Sequence, residues 1–389
     1  MISVIAPRLR CRRRAALQPW KSHSRHSRWR REPIVAKRYK VAVIGCGIGK
    51  SHIVEGYQPH ADKFDLVALC DLDEKRLNAV ADEFSVPRRT LSSDEIMAME
   101  DVDIVDICTP PATHTRLILQ ALAAGKNVVC EKPLTGSLAE VDEVMAAEEK
   151  SSGVLMPIFQ YRYGEGVQQV RRIVESGLAG KAYVATAETF WNRGADYYDN
   201  PWRGRWATEL GGVMMTHAIH LHDMLTYLMG PVSRVFARTT TRVNAIEVED
   251  CVSASLLMQS GAVVSATATL GAQEEESRLH LAFENVTFES NHSPYSPGDG
   301  PWRIVPANEE VGKKIDALLS EMPAVGRRFN GQMEAFYQAL ETGEKPPVTS
   351  ADAHRSLELL AAVYHSNDTN SDVALPIGQG HPKYVTWRP

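Results

Sequence analysis

From Lys40 to about Phe159, short apolar runs alternate with helical patterns. The runs at Lys40–Ile44, Leu66–Cys70, Ile104–Cys108, Asn127–Cys130 and Val154–Phe159 are almost wholly apolar, as strands buried on both faces must be. Between them, Leu77, Val80, Ala81 and Phe84 mark one helix face, and Leu117, Ala121 and Leu122 mark another that stops at Gly125. Ser137-x-x-Glu140 reads as a capping box opening a third helix over Val141, Val144 and Met145. Repeated strand–helix–strand units predict an α/β fold, with a doubly wound parallel sheet over residues 38–159.

Beyond about Gln160 the period changes. A helix (Val167, Val170, Ile173, Val174) ends at Gly177, and a long strand follows at Ala182–Trp191. An aromatic, arginine-rich stretch then leads to a helix at about Gly212–Met229. Alternating Thr/Val-rich runs at Arg234–Val243, Val252–Met258, Ala262–Leu270 and Leu279–Phe288 predict a large open, mostly antiparallel sheet. Ser290–Pro301 reads as a loop, and helices around Met333–Leu340 and Leu357–Tyr364 close the chain. Residues 160–389 are thus expected to form an α+β domain for substrate and assembly, whose open sheet suits a homodimer or homotetramer.

Charge alters this picture at one end. Residues 1–40 sum to +12 and the rest to −17, within a net charge of −5. The acidic body argues against nucleic acid as a partner. The basic leader, residues 1–37, has the Arg-rich, acid-poor character of a presequence or a phosphate-binding arm, and is expected to lie outside the fold. No apolar run reaches the roughly 18 residues of a membrane span. The six cysteines form no CxxC pair, a reduced pattern that points to the cytoplasm.

Three phrases carry the chemistry. In the first, Gly45-Cys46-Gly47-Ile48-Gly49 joins a strand to a helix, where backbone N–H groups can receive a pyrophosphate. A strict G-x-G-x-x-G would have glycine at Lys50. Asp71 ends the next strand, placed to bond an adenosine ribose, and the Asp71-Leu72-Asp73 run would repel a 2′-phosphate, which favours NAD over NADP. Thr109 and Pro110 end the following strand at the same sheet edge.

In the second phrase, Glu131-Lys132-Pro133, a strand end holds an amine whose desolvation would fit it to exchange a proton with a substrate hydroxyl. In the third, Thr216, His220 and Asp223 share a helix face with His217 beside them, so Asp223 would orient His220 as acid/base. Core or metal-binding roles also suit these histidines. With no HExxH pattern, and His222 pointing off the face, no metal is expected. Arg162, Trp202, Arg203, Arg205 and Trp206 suit a polyol or sugar-derived ligand, and equally an interface.

In this order and spacing, the chain from about Lys40 to Pro376 resembles the Gfo/Idh/MocA oxidoreductases. The likeness covers the glycine loop ending in His52, Asp71, Thr109-Pro110-Pro111-Ala112-Thr113-His114, Gly125-Lys126-Asn127-Val128 and Glu131-Lys132-Pro133. It continues through Tyr161-Arg162-Tyr163, Gly211–Asp223 and Val373-Ala374-Leu375-Pro376. The resemblance implies NAD(P)-dependent hydride transfer to or from a secondary alcohol of a sugar, cyclitol or sugar acid. It implies Lys132 and His220 as the catalytic pair, with Pro133 frequently cis. Cofactor contacts are then expected from Gly45, Gly47, Ile48, Gly49, Asp71, Thr109, Pro110, His114, Glu131 and Lys132. Substrate contacts are expected from Arg162, Trp202, Arg205, His217 and His220. Thr216 stands where the family carries aspartate, so Thr216 and His217 are expected to share its work. That departure keeps two alternatives in view, a redox-assisted lyase or glycosidase and a ligand sensor without turnover.

Overall fold

The computed structural model describes residues 37–388. The basic leader, apart from Lys37, lies outside the described residues. Six strands form the first sheet: β1 (Tyr39–Ile44), β2 (Phe64–Cys70), β3 (Arg88–Thr90), β4 (Ile104–Ile107), β5 (Asn127–Cys130) and β6 (Leu155–Pro157). They are all parallel, in the order β3-β2-β1-β4-β5-β6. The chain reverses direction across the sheet between β1 and β4, and a crevice opens there beyond the strands' carboxyl ends. Val41, Ala42, Val43, Ile104, Val105, Val128 and Val129 are fully buried, which accounts for the continuous apolar runs.

The second sheet contains β7 (Ala182–Asn192), β8 (Val232–Thr240), β9 (Cys251–Met258), β10 (Val263–Thr269), β11 (Gly271–Phe283), β12 (Val286–Glu289), β13 (Arg303–Pro306) and β14 (Val373–Ala374). Its order is β13-β12-β11-β7-β10-β9-β8-β14. Only the central β7–β10 pair is parallel. Inward residues alternate along the strands (Ala185, Ala187, Leu256, Val264, Ala266, Leu279, Leu281) and pack under helices Ile219–Met229 and Ser350–Thr369. The opposite face stays open, and Val263 there lies between Val184 and Leu257 on neighbouring strands, all three exposed.

Local readings need four corrections. The run read as one strand, Leu279–Phe288, is a hairpin, because Glu284 and Asn285 turn the chain between β11 and β12. β3, β13 and helix Glu309–Ser320 carry too few buried apolar positions to register as pattern. Ser137 does cap its helix, but Glu140 turns to the N–H of Gly136 at 2.8 Å, so the box is half formed. The histidine helix begins with a π-helical turn, Met214–Ala218, before the regular helix Ile219–Met229.

Candidate active site

Where β1 ends, the chain must turn sharply against β4. Gly45 has φ +99°, and a Cβ there would lie 2.4 Å from the Cys108 carbonyl oxygen, so only glycine fits. At Gly47 a Cβ would meet nothing within 4 Å, and the residue faces open space on the cavity wall. Gly49 has a different task. It does not line the cavity, but lets the following helix close on β1, where a Cβ would come 2.8 Å from Val43. Gly49 thus does the close-packing work of the absent third glycine, while exposed Lys50 pairs with Glu83 at 2.8 Å.

This loop opens onto a cavity of about 1040 Å³ that runs from Gly45, Gly47, Ile48 and Asp71, past Thr109, Pro110, Glu131 and Lys132, to Thr216, His217 and His220. A glycine floor free of side chains and a long cleft of this volume fit an extended dinucleotide with a second ligand at its end. His114 is not on the wall. Fully buried, its ring lies 2.8 Å from the carbonyl oxygens of both Thr109 and Pro133, so it ties together the two strand ends that are.

Asp71 carries a partner that sequence reading did not anticipate. Its carboxylate accepts from Cys46 N–H (2.7 Å), Asp73 N–H (2.8 Å), and Arg76 Nε (2.9 Å) and Nη2 (2.7 Å). Those four donors fill the acceptor positions of a carboxylate. Burial raises the Asp71 pKa, but Arg76 and the two N–H groups outweigh it and hold the group below the usual value. Arg76 itself lines the cavity.

At the other end, the Lys132–Pro133 peptide is cis. Lys132 Nζ donates to the Thr216 carbonyl at 2.8 Å, so the second and third chemical phrases meet directly. Burial lowers the Lys132 pKa, Glu131 opposes that shift, and Arg203 adds to it. Thr216 Oγ1 donates its single proton to the Gly212 carbonyl (2.8 Å), so in its 2.6 Å contact with His217 Nδ1 the imidazole is the donor. Burial first, then the charges of Lys132 and nearby arginines, push the pKa values of His217 and His220 well below the ordinary histidine value. Both rings are therefore neutral at pH 7. His220 stacks on Tyr161 with ring centres 4.6 Å apart.

The helix carrying these histidines is anchored from outside its own sequence. Buried Glu249 accepts the N–H groups of Gly212 (3.0 Å) and Met214 (3.1 Å) and the hydroxyl of Tyr364 (3.0 Å), and burial pushes its pKa up to about 7.

Beyond Gly49 and His114, three further expected roles fail on geometry. Asp223 does not orient His220. Its carboxylate takes Arg162 Nε at 2.7 Å and Nη2 at 2.5 Å, and His220 Nδ1 is buried without a partner. Arg162 is not on the cavity wall, since it is buried in this pair and also meets Asp352 at 3.0 Å. Arg162→Met would leave buried Asp223 without its paired cation, while Asp352 keeps Arg355, an expected loss of about 3–5 kcal/mol of unfolding free energy in urea titration. A cost under about 1 kcal/mol would match an exposed pair instead. Arg205 is exposed and off the wall, whereas Arg203, two residues earlier, lines the cavity stacked between Tyr197 (3.9 Å) and Trp202 (4.3 Å).

Tyr161, Trp191, Arg193, Tyr295 and Arg328 also line this end. Trp191 and Arg193 lie within the aromatic, arginine-rich stretch, residues 191–206. Tyr295 and Arg328 come from a remote loop and helix, and no local signal marks them.

Residues 39–159 match the family model "Oxidoreductase family, NAD-binding Rossmann fold", and residues 167–289 match "GFO/IDH/MocA C-terminal domain". The chain belongs to the Gfo/Idh/MocA oxidoreductase family. Among curated relatives, D-apiose dehydrogenase of Paraburkholderia graminis is 29% identical over 58% of this chain, and the match spans 59% of that protein's own length. D-xylose 1-dehydrogenase (NADP(+)) 2 of Haloferax volcanii is 28% identical over 85% of this chain and 97% of that one. Among solved structures, the WlbA dehydrogenase of Bordetella pertussis, in complex with NADH and UDP-GlcNAcA, superposes with a TM-score of 0.76. It is 26% identical, covering 88% of this chain and 100% of that one. As a Gfo/Idh/MocA member, this chain carries an NAD-binding Rossmann domain.

Proposed function

We propose that this chain is an NAD(P)-dependent dehydrogenase acting on a secondary alcohol of a sugar, cyclitol or sugar acid. One observation carries the reading: Lys132 is hydrogen-bonded to the π-helical turn that bears His217 and leads into the helix of His220, on the wall of the cavity that starts at the glycine loop. A bound nicotinamide dinucleotide supplies the hydride acceptor or donor. Gly45, Gly47, Ile48, Thr109 and Pro110 hold it along the floor. His220, neutral at pH 7, is in the form that takes the alcohol proton. Lys132 keeps one N–H on Thr216 and offers the others to the reacting oxygen. Thr216 fixes the His217 tautomer, leaving Nε2 as an acceptor that lies 3.4 Å from the Tyr197 hydroxyl on the same cavity wall. Aromatic faces at Tyr161, Trp191 and Trp202 suit the C–H surface of a sugar, in line with the relatives named as sugar dehydrogenases.

The assignment further divides the chain into a cofactor domain (38–159) and a substrate and assembly domain (160–389). The open sheet face at Val184, Leu257 and Val263 supports pairing of two or four copies. The cysteines free among the described residues (Cys46, Cys70, Cys108, Cys130, Cys251) suit a cytoplasmic protein. Among the described residues, no helix is long and apolar enough to cross a membrane.

The direct test is NADH or NADPH formation by the full chain with a panel of aldoses, inositols and aldonic acids. Release of a leaving group without net reduced cofactor would redirect the reading to a lyase. Cofactor choice has its own test at Arg76. Arg76→Ala frees two acceptor positions on Asp71 for a ribose diol and removes the cation paired with it. NADH should bind about fivefold tighter and NADPH weaker in fluorescence titration. Equal changes for both cofactors would mean Arg76 only packs the loop.

A further inference from the structure

Behind the cavity wall, the parallel sheet buries a line of ionisable groups. His52, in the π-helical turn His52–Tyr57 after the glycine loop, is fully buried. Its Nδ1 lies 2.8 Å from Asp106 Oδ2, and its Nε2 lies 3.0 Å from Glu131 Oε1. Asp106 is also fully buried and accepts the Tyr57 hydroxyl at 2.9 Å and the Cys108 thiol at 3.4 Å. The other oxygen of Glu131 accepts the backbone N–H of Lys132 at 3.0 Å, and Glu131 faces the cavity. The ring of Phe329, 4.5 Å from the imidazole, adds no charge.

The Tyr57 hydroxyl, the Cys108 thiol and His52 Nδ1 all face the Asp106 carboxylate, which can accept from each. A neutral imidazole has one N–H and would set a lone pair against one of its two carboxylate contacts, so with both carboxylates ionised the two contacts require the imidazolium. Burial pushes the His52 pKa down, but Asp106 and then Cys108, whose Sγ lies 3.4 Å from Nδ1, outweigh it and hold the group well above the ordinary value. Burial raises Glu131, and His52 and Lys132 reverse that.

We infer that His52 is a positioning residue for the cofactor site: clamped between Asp106 and Glu131, its imidazolium fixes the Glu131 carboxylate as an anion on the cavity wall beside Lys132. The inference rests on reading the cavity as a nicotinamide dinucleotide site. A fixed carboxylate favours a cationic ring over a neutral one, so the wall discriminates oxidised from reduced cofactor. Without the cation, Asp106 and Glu131 repel, and Glu131 takes a proton or turns away.

The readout is the ratio of NAD+ to NADH dissociation constants, titrated on the full chain. Glu131→Gln should weaken NAD+ about tenfold relative to NADH, and His52→Gln should do the same. The double variant should do no more than either alone, since one residue acts through the other. A His52→Gln protein with the wild-type ratio, whatever its melting temperature, overturns the inference, as does an unchanged ratio in Glu131→Gln. Additive effects in the double variant overturn it too. If His52→Gln does not fold, nitrogen NMR of labelled histidine in the wild-type chain decides. An imidazolium that persists above the ordinary histidine range is expected, and a ring that titrates within or below that range overturns the assignment. A wild-type chain that binds neither dinucleotide overturns the reading of the cavity as well, which separates the two failures.

Discussion

Lys132→Met lowers turnover by about 10³-fold while NADH still binds, the expected result if the amine serves the reacting oxygen. Methionine keeps most of the side chain's length and apolar stem and removes the charge and all three donors. The floor at Gly45, Gly47 and Thr109 is untouched, so titration with NADH should change little. Two side effects identify the mechanism of loss. The Thr216 carbonyl loses its 2.8 Å donor, costing about 1–3 kcal/mol unless water replaces it. The Lys132 charge also depresses the pKa values of His217 and His220, so its removal lets both rise toward the ordinary histidine value. The residual activity should therefore fall away at higher pH on acidification than it does in the wild type. Turnover unchanged in single-turnover kinetics would remove Lys132 from the chemistry. Loss of NADH binding in step with turnover would make it a cofactor clamp.

The parallel sheet was legible because strands covered on both faces must be apolar throughout, and few other elements produce five such runs between helices. β3 escaped because an edge strand reading Arg88-Arg89-Thr90 buries little. Gly45, Asp71, Thr109, Glu131 and Lys132 were found because the topology puts carboxyl strand ends at one crevice, so local position implied proximity. The helix residues were harder. Periodicity puts Asp223 on the His220 face, but which partner takes a buried carboxylate depends on what packs there, and Arg162 arrives from 61 residues away. The same blindness applies to Arg76 over Asp71 and to Tyr295 and Arg328 on the wall. Helical spacing says which side chains share a face; it does not say which charge meets them.

His220→Asn should lower kcat by about 10²- to 10³-fold, with cofactor binding retained and KM altered less than kcat. Asparagine keeps a polar group of similar reach but cannot accept and hold a proton. The wild-type ring is neutral at pH 7 because burial, Lys132, Arg328 and His217 all disfavour its charged form. In the oxidative direction a base must start neutral. The wild-type rate should thus hold as pH falls through the ordinary histidine range, and drop only below it, as His220 finally takes a proton. His220→Asn should lack that acidic limb altogether, its low rate flat over the same interval. Asp223 is bound to Arg162 and does not orient the ring, so Asp223→Asn should act on stability through that pair and leave the limb where it was. If His220→Asn keeps the limb, the titrating base is another group. His217 is then the first to replace, because its Nδ1 is committed to Thr216 and its Nε2, 3.4 Å from the Tyr197 hydroxyl, is the acceptor nitrogen.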